Sequence, residues 1–294
     1  MFYTPSGRAP GDGIALGLGV GIAAAVPLAF VYSYAILYIP IIGIVTFILT
    51  GGFGLLLGVA VGSPMHARKV RSPLVASLVG FAVGLVALYA MWVVWLYGLI
   101  QRSGGDGASE VTLLGLATWP PAVWQLVELV NETGAWSFKG TTPTGGVLWA
   151  IWGCEALILV GMPTWLAGNT VSDPFCEKCE AWCEDKQSFF LTEAVDKKQL
   201  LEWLGAGRLD QLAALPAPST AVSLTTTAWR CGCSETATLS IIEAKPNSKG
   251  ELQTHDVIKH VLLPRDGFAT LTRLNAERNT RLGVGAATEP PAGG

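Results

Sequence analysis

Cysteine carries the plainest chemical pattern in this sequence. Five of the six cysteines lie beyond residue 172, in two clusters about 50 residues apart. The first reads Cys176-x-x-Cys179-x-x-x-Cys183 and the second Cys231-Gly232-Cys233-Ser234. Zinc takes four tetrahedral ligands, and thiolates supply them when two tight turns each present a pair. Cys176, Cys179, Cys231 and Cys233 would form such a set, on the plan of a zinc ribbon. The pattern departs from the common one in three respects. C-x-C is tighter than C-x₂₋₄-C, the separation is long, and Cys183 is a fifth thiol that could replace one of the four. His255 or His260 could also enter the set. Clustered cysteines in a reducing compartment bind metal or do redox work rather than form structural disulfides. A thioredoxin-like site needs its C-x-x-C at a helix start after a strand, within a βαβ unit, and no such unit surrounds Cys176. Structural zinc is therefore the leading expectation. A thiol oxidoreductase and simple unligated cysteines are the alternatives.

The second chemical candidate is an acid. Glu155 lies in Trp152-Gly153-Cys154-Glu155-Ala156, midway along an apolar run. A carboxylate inside a membrane span is costly and is read first as functional. The bland alternative is a protonated Glu155, or one bonded to a hydroxyl such as Ser33, Tyr34, Thr46 or Thr50. Proton relays chain several ionisable groups, and no other acid or base accompanies Glu155 within the apolar runs. A small transporter or channel centred on Glu155 is an alternative function.

These residues must be positioned by the rest of the chain, and its composition says how. Of 294 residues, 51% are hydrophobic and only 14% charged, against about 25% charged in a soluble domain. No charged side chain occurs from Gly13 to Ser63 or from Ser72 to Gln101. A crossing needs roughly 20 apolar residues, so four spans are expected at residues 14–38, 41–62, 73–100 and 146–166. The first two would turn at Ile39-Pro40, and Pro27 should bend or loosen the first. That first run continues past Ala23-Ala24-Ala25, too long for a signal-peptide core of about 7–15 residues, so it is read as a span and not a cleaved leader. Gly13, Gly17 and Gly21, then Gly54, Gly58 and Gly62, then Ala76, Gly80 and Gly84 recur every fourth residue. Small residues at that spacing let helix backbones approach closely, and packing within one bundle is the favoured use of them.

Loop charges give a direction. Arg68, Lys69 and Arg71 follow the second span without an acid, which places that link in the cytoplasm by the positive-inside rule. Residues 102–145 hold Arg102 and Lys139 against Asp106, Glu110, Glu128 and Glu132, and belong outside. Both termini would then be cytoplasmic. Within the outer link, Pro120-Pro121 precedes Val123, Leu126, Val127 and Val130, the stripe of a surface helix at residues 120–133. Trp119, Trp124 and Trp136 flank it.

From residue 172 the composition turns polar, so the expected domains are a membrane part at 1–171, a cytoplasmic α+β domain at 172–282 and a disordered tail at 283–294. Asp196 would cap a helix through Leu200, Leu201 and Leu204, and Leu209 and Leu212 a shorter one. Strands are expected at residues 221–229, 236–243 and 257–263, with a Pro246–Gly250 turn. The net charge of −3 offers nucleic acid no electrostatic footprint. H-E-x-x-H and G-x-S-x-G are absent, and Gly51-Gly52-Phe53-Gly54 lies inside a span, so no catalytic constellation emerges.

Several phrases resemble an uncharacterised family of bacterial four-helix integral membrane proteins with a cysteine-bearing C-terminal domain. They are Phe2-Tyr3-Thr4-Pro5-Ser6-Gly7, Ala35-Ile36-Leu37-Tyr38-Ile39-Pro40, Asn131-Glu132-Thr133-Gly134-Ala135-Trp136 and Trp152-Gly153-Cys154-Glu155-Ala156, together with Cys176-x-x-Cys179. The resemblance implies a bacterial inner membrane and no particular chemistry. The expectation is thus a four-helix membrane bundle carrying a zinc-ribbon-like cytoplasmic domain, acting as a scaffold or interaction module. Its partners are the lipid bilayer and an unidentified protein.

Overall fold

The computed structural model describes residues 2–38, 44–105, 108–134 and 142–282. The expected turn at Ile39-Pro40, the start of the second span, Asp106, Trp136, Lys139 and the expected tail fall outside them.

Four helices are long and apolar enough to cross a bilayer: α1 (Gly11–Tyr38), α2 (Ile44–Ala67), α3 (Pro73–Ser103) and α6 (Gly145–Thr170). Each is apolar around most of its circumference, as helices facing lipid on one side and protein on the other must be. Ser72 caps α3 by accepting from the Val75 N–H at 3.4 Å, and Gly104 ends it at φ +62°. With 31 residues at ~1.5 Å each, α3 is about 46 Å long and outlasts a hydrocarbon core of ~30 Å. α2 runs on through Pro64 to Ala67, past its expected end, where the buried Met65 packs against Gly17 of α1.

In the bundle, α1 and α6 are each flanked by α2 and α3, and the small-residue stripes make these approaches possible. A Cβ on Gly21 would lie 2.7 Å from Val61 and 2.8 Å from Val83. One on Gly54 would meet Met162 at 2.8 Å, one on Gly58 Leu166 at 2.8 Å, and one on Gly84 the Val160 backbone at 2.9 Å. The first stripe therefore serves α2 and α3, and the second and third serve α6. Between α3 and α6, α4 (Leu113–Ala117) and α5 (Pro120–Thr133) pack beside the bundle through Leu116, Val123, Val127 and Val130.

The C-terminal domain holds two antiparallel sheets. β1 (Phe175–Cys176) and β2 (Ala181–Trp182) form a small ribbon. β3 (Asp185–Glu193), β4 (Ser223–Arg230), β5 (Ala237–Pro246) and β6 (Leu252–Leu262) follow in the order β3-β4-β5-β6. α7 (Lys197–Gly205), α8 (Leu209–Ala214) and α9 (Gly267–Leu282) cover the sheet. Asp196 caps α7 by accepting from the Lys198 N–H at 3.0 Å. The core is built by Phe190, Leu200, Leu212, Leu224, Leu239, Ile241, Ile258 and Leu271. Arg278 of α9 is buried and donates to the Ala213, Leu215 and Leu191 carbonyls at 3.1, 2.6 and 3.0 Å, tying α9 to α8 and β3.

The chain divides into two compact units, residues 6–172 and residues 173–294 together with the first five. Phe2 bridges Val261, and the Tyr3 N–H donates to the His260 carbonyl at 2.7 Å. The Tyr3 hydroxyl accepts from the Phe175 N–H at 3.0 Å. The opening residues thus belong to the C-terminal fold.

Candidate metal centre

Two hairpin turns build the cysteine site. In the first, Cys176 ends β1 opposite Ala181 of β2, and the turn between them carries Cys179. Phe175 and Trp182 hold this ribbon together edge to face, 5.0 Å between ring centres, and the Cys183 N–H donates to the Pro174 carbonyl at 2.8 Å. The second turn joins β4 to β5. Beyond the Arg230–Ala237 pair, the Cys231 N–H donates to the Thr236 carbonyl at 3.1 Å and the Ser234 N–H to the Cys231 carbonyl at 2.9 Å. In each turn the residue after the second cysteine takes a left-handed conformation, Glu180 at φ +48° and Ser234 at φ +58°.

These turns bring Cys176, Cys179, Cys231 and Cys233 together, with all four Sγ atoms within 4.8 Å of one another. Two separations are 3.5 Å (Cys176–Cys233) and 3.3 Å (Cys231–Cys233). All six cysteines are free. A tetrahedron with ~2.3 Å metal–sulfur bonds has edges of about 3.8 Å, so the group has the dimensions of a four-thiolate metal site. Cys176 and Cys231 are buried, whereas Cys179 and Cys233 reach the surface.

Electrostatics makes the same demand. Burial pushes the Cys176 thiol up, but hydrogen bonding from Thr236, from the Cys179 and Lys178 backbone and from Cys231 overcomes this and brings it down to about 6. Cys183 moves the other way, up to about 12, first through burial and then through the charges of Cys231, Cys176 and Cys179. Cys176 thus ionises readily, and the neighbouring thiolate charges oppose ionisation of Cys183. A bound cation removes that repulsion and lets the set ionise together. The Thr236 N–H points at the Cys231 sulfur, 3.3 Å away. At the rim, Glu235 binds Lys178 at 2.5 Å and Arg265 at 2.9 Å, which places two cations beside thiolates that would carry net negative charge.

Cys183 lies in the same buried cluster but outside the group of four, with its Sγ 3.9 Å from the Thr236 carbonyl. The histidines stand apart too. His255 pairs with Glu243 at 3.1 Å. His260 packs edge-on against Trp229, 5.0 Å between ring centres, with Nδ1 3.4 Å from the Thr238 hydroxyl. Sequence reading did not single out Tyr3 as a brace for the ribbon next to Cys176. A separation of 172 residues leaves no local signal for it.

Glu155 is buried on the bundle side of α6, within electrostatic reach of Tyr32 on α1. Tyr32 donates to Thr50 at 3.0 Å, Thr50 donates to the Thr46 carbonyl at 2.9 Å, and Ser33 donates to the Met91 carbonyl at 3.1 Å. The donors of these three hydroxyls are therefore engaged with one another or with backbone carbonyls. Among the described residues, none forms a hydrogen bond of ordinary geometry with the Glu155 carboxyl. No protein-family model matches this chain, and no curated protein or solved structure matches it either.

Proposed function

We propose that this chain is a membrane-anchored scaffold or interaction protein whose C-terminal domain carries a structural zinc ion on Cys176, Cys179, Cys231 and Cys233. The observation that carries the reading is the convergence of four thiols from two hairpin turns within 4.8 Å. A donor set of four cysteines closes the coordination sphere, as in structural zinc sites, whereas catalytic zinc keeps one position for water or substrate. Zinc staples the β1–β2 ribbon to the β4–β5 turn of the main sheet in this reading. The basic link of Arg68, Lys69 and Arg71 supports a cytoplasmic C-terminal domain, and the sharing of one unit by Tyr3 and Phe175 supports termini on one side. The bacterial inner membrane rests on the family resemblance.

Metal analysis of the purified full-length protein tests the proposal. One zinc per chain is expected, lost in Cys176→Ser and in Cys231→Ser and retained in Cys183→Ser. Iron in place of zinc would overturn the metal assignment, since tetrahedral thiolate sites also hold iron. Metal-free protein with unchanged folding would overturn the site. Because the core around Phe190 and Leu239 is separate from the cysteine cluster, chelation should speed amide exchange in β1–β2 while β3–β6 stay protected.

A second reading has one observation in its favour: Glu155 is buried in a candidate span, and among the described residues none forms a hydrogen bond with it. A carboxyl so placed can serve as a proton or cation site. Proton flux into vesicles that contain the protein, abolished by Glu155→Gln, would support it. Absence of flux from the unaltered protein would end it.

A further inference from the structure

A pocket of about 580 Å³ opens between α3, α5 and α6, well within the range of ~300–1,000 Å³ that suits a ligand. Four tryptophans stand in its wall. Trp124 stacks on Trp149, 5.5 Å between ring centres, Trp149 meets Trp152 edge to face at 5.5 Å, and Trp152 meets Trp92 in the same way at 4.9 Å. Two polar groups of the lining are already engaged. The Tyr89 hydroxyl donates to the Ala117 carbonyl at 2.9 Å, and the Trp124 indole N–H donates to Glu128 at 2.7 Å. The rest of the lining is overwhelmingly apolar, so the pocket selects an apolar occupant.

The surroundings say which one. On α3, Leu78, Phe81 and Leu85 form an exposed apolar stripe at i, i+3 and i+7, and Leu85 is itself part of the pocket lining. On α6, Leu157 is 76% exposed one turn beyond Gly153, another lining residue. Both faces belong to helices that are apolar and long enough to span. The lipid-facing surface therefore runs into the pocket without a polar step, and a chain can enter sideways without leaving hydrocarbon. α5 roofs the space through Val123 and Val127, which an ordinary lipid-facing groove would lack.

We propose that this pocket is a binding site for one acyl chain of a membrane phospholipid, held between α3 and α6 under the α5 roof. Phosphatidylcholine with a photoactivatable diazirine midway along one acyl chain is the probe. The full-length protein is reconstituted in vesicles of unlabelled phosphatidylcholine containing a trace of it, irradiated and mapped by peptide mass spectrometry. Insertion is expected in the lining segments of α3, α5 and α6, about tenfold above that at lipid-facing Ile48 and Leu157. A Cβ on Gly153 meets no atom within 4 Å, so Gly153→Trp starts from open space at the pocket wall and reduces the room for a guest. It should lower pocket labelling about tenfold and leave Ile48 unchanged. Where Gly153→Trp fails to assemble by size exclusion, Ala156→Leu provides the same readout. Equal labelling of the pocket and Ile48, or labelling unaffected by both substitutions, would overturn the site. Pocket labelling by a free diazirine alkane but not by the phospholipid would overturn the choice of occupant.

Discussion

His260 occupies a position that few histidines do. Its backbone is left-handed at φ +49°, where β6 bulges so that Leu239 faces Val261 and Ile241 faces Ile258. The ring is buried against Trp229. Burial, followed by the charge of Lys259, holds its pKa below the ordinary imidazole value, against the opposing pull of Asp173 and Asp256. The unfolded chain, titrating near ~6.5, then takes up the proton before the folded one does. The stabilisation is present above about pH 6.5 and is lost as pH falls through the lower folded value. Melting of the domain over pH 5–8 should show this decline, and His260→Asn, which tolerates the same backbone, should flatten it. An unchanged slope would remove His260 as the source. Glu180 and Ser234 carry comparable strain beside the candidate ligands Cys179 and Cys233, since a left-handed L-residue costs roughly 1–2 kcal/mol. Ser234→Gly should therefore slow metal loss to a chelator. Ser234→Val should accelerate it, with a destabilisation of about 1 kcal/mol or more.

At the scale of elements, the small-residue stripes make the sharpest claim. A Cβ on Gly80 would overlap the Pro163 carbonyl of α6, whereas one on Gly52 meets nothing within 4 Å. Gly80→Ala should destabilise the bundle by about 1–3 kcal/mol, as overpacking does, and Gly52→Ala should be neutral or better. Melting temperatures in detergent decide between them. That contrast also shows what the sequence makes legible. Four-residue spacing identified the stripes, yet not which neighbour each one meets. Asp196 and the leucines after it announced α7, and the Pro120-Pro121 start announced α5. β3 escaped because a bulge between Ser188 and Leu191 buries both Phe189 and Phe190 and breaks the alternation that marks a strand. α9 escaped because its core stripe of Phe268, Leu271 and Leu274 ends in Arg278, a charged residue at a buried position. Within the site, the spacing inside each cysteine pair was readable from local geometry. The pattern put Cys176, Cys179, Cys231 and Cys233 first with Cys183 as a possible substitute, and the meeting of the two hairpins brings together those four.

For the whole molecule, the first and last parts of the chain make one unit. Tyr3 reaches Phe175 across a segment that contains all four candidate spans, and only an even number of crossings lets two such residues meet on one side of a bilayer. The contact also has a local effect. Phe175 is followed directly by the candidate ligand Cys176, in a strand of two residues that pairs with β2. Release of the metal requires that strand to open, and the Tyr3 hydroxyl opposes the opening with one hydrogen bond worth about 1 kcal/mol. Tyr3→Phe should therefore quicken metal transfer to a chromogenic chelator about fivefold, with the metal content at equilibrium unchanged. Deletion of residues 2–5 should quicken it further, since the Tyr3–His260 and Phe2–Val261 pairings go as well. If both variants release metal at the rate of the unaltered protein, the N-terminal residues lie on the domain without bracing it. The ribbon would then be held by its β1–β2 pairing, the Phe175–Trp182 contact and the metal.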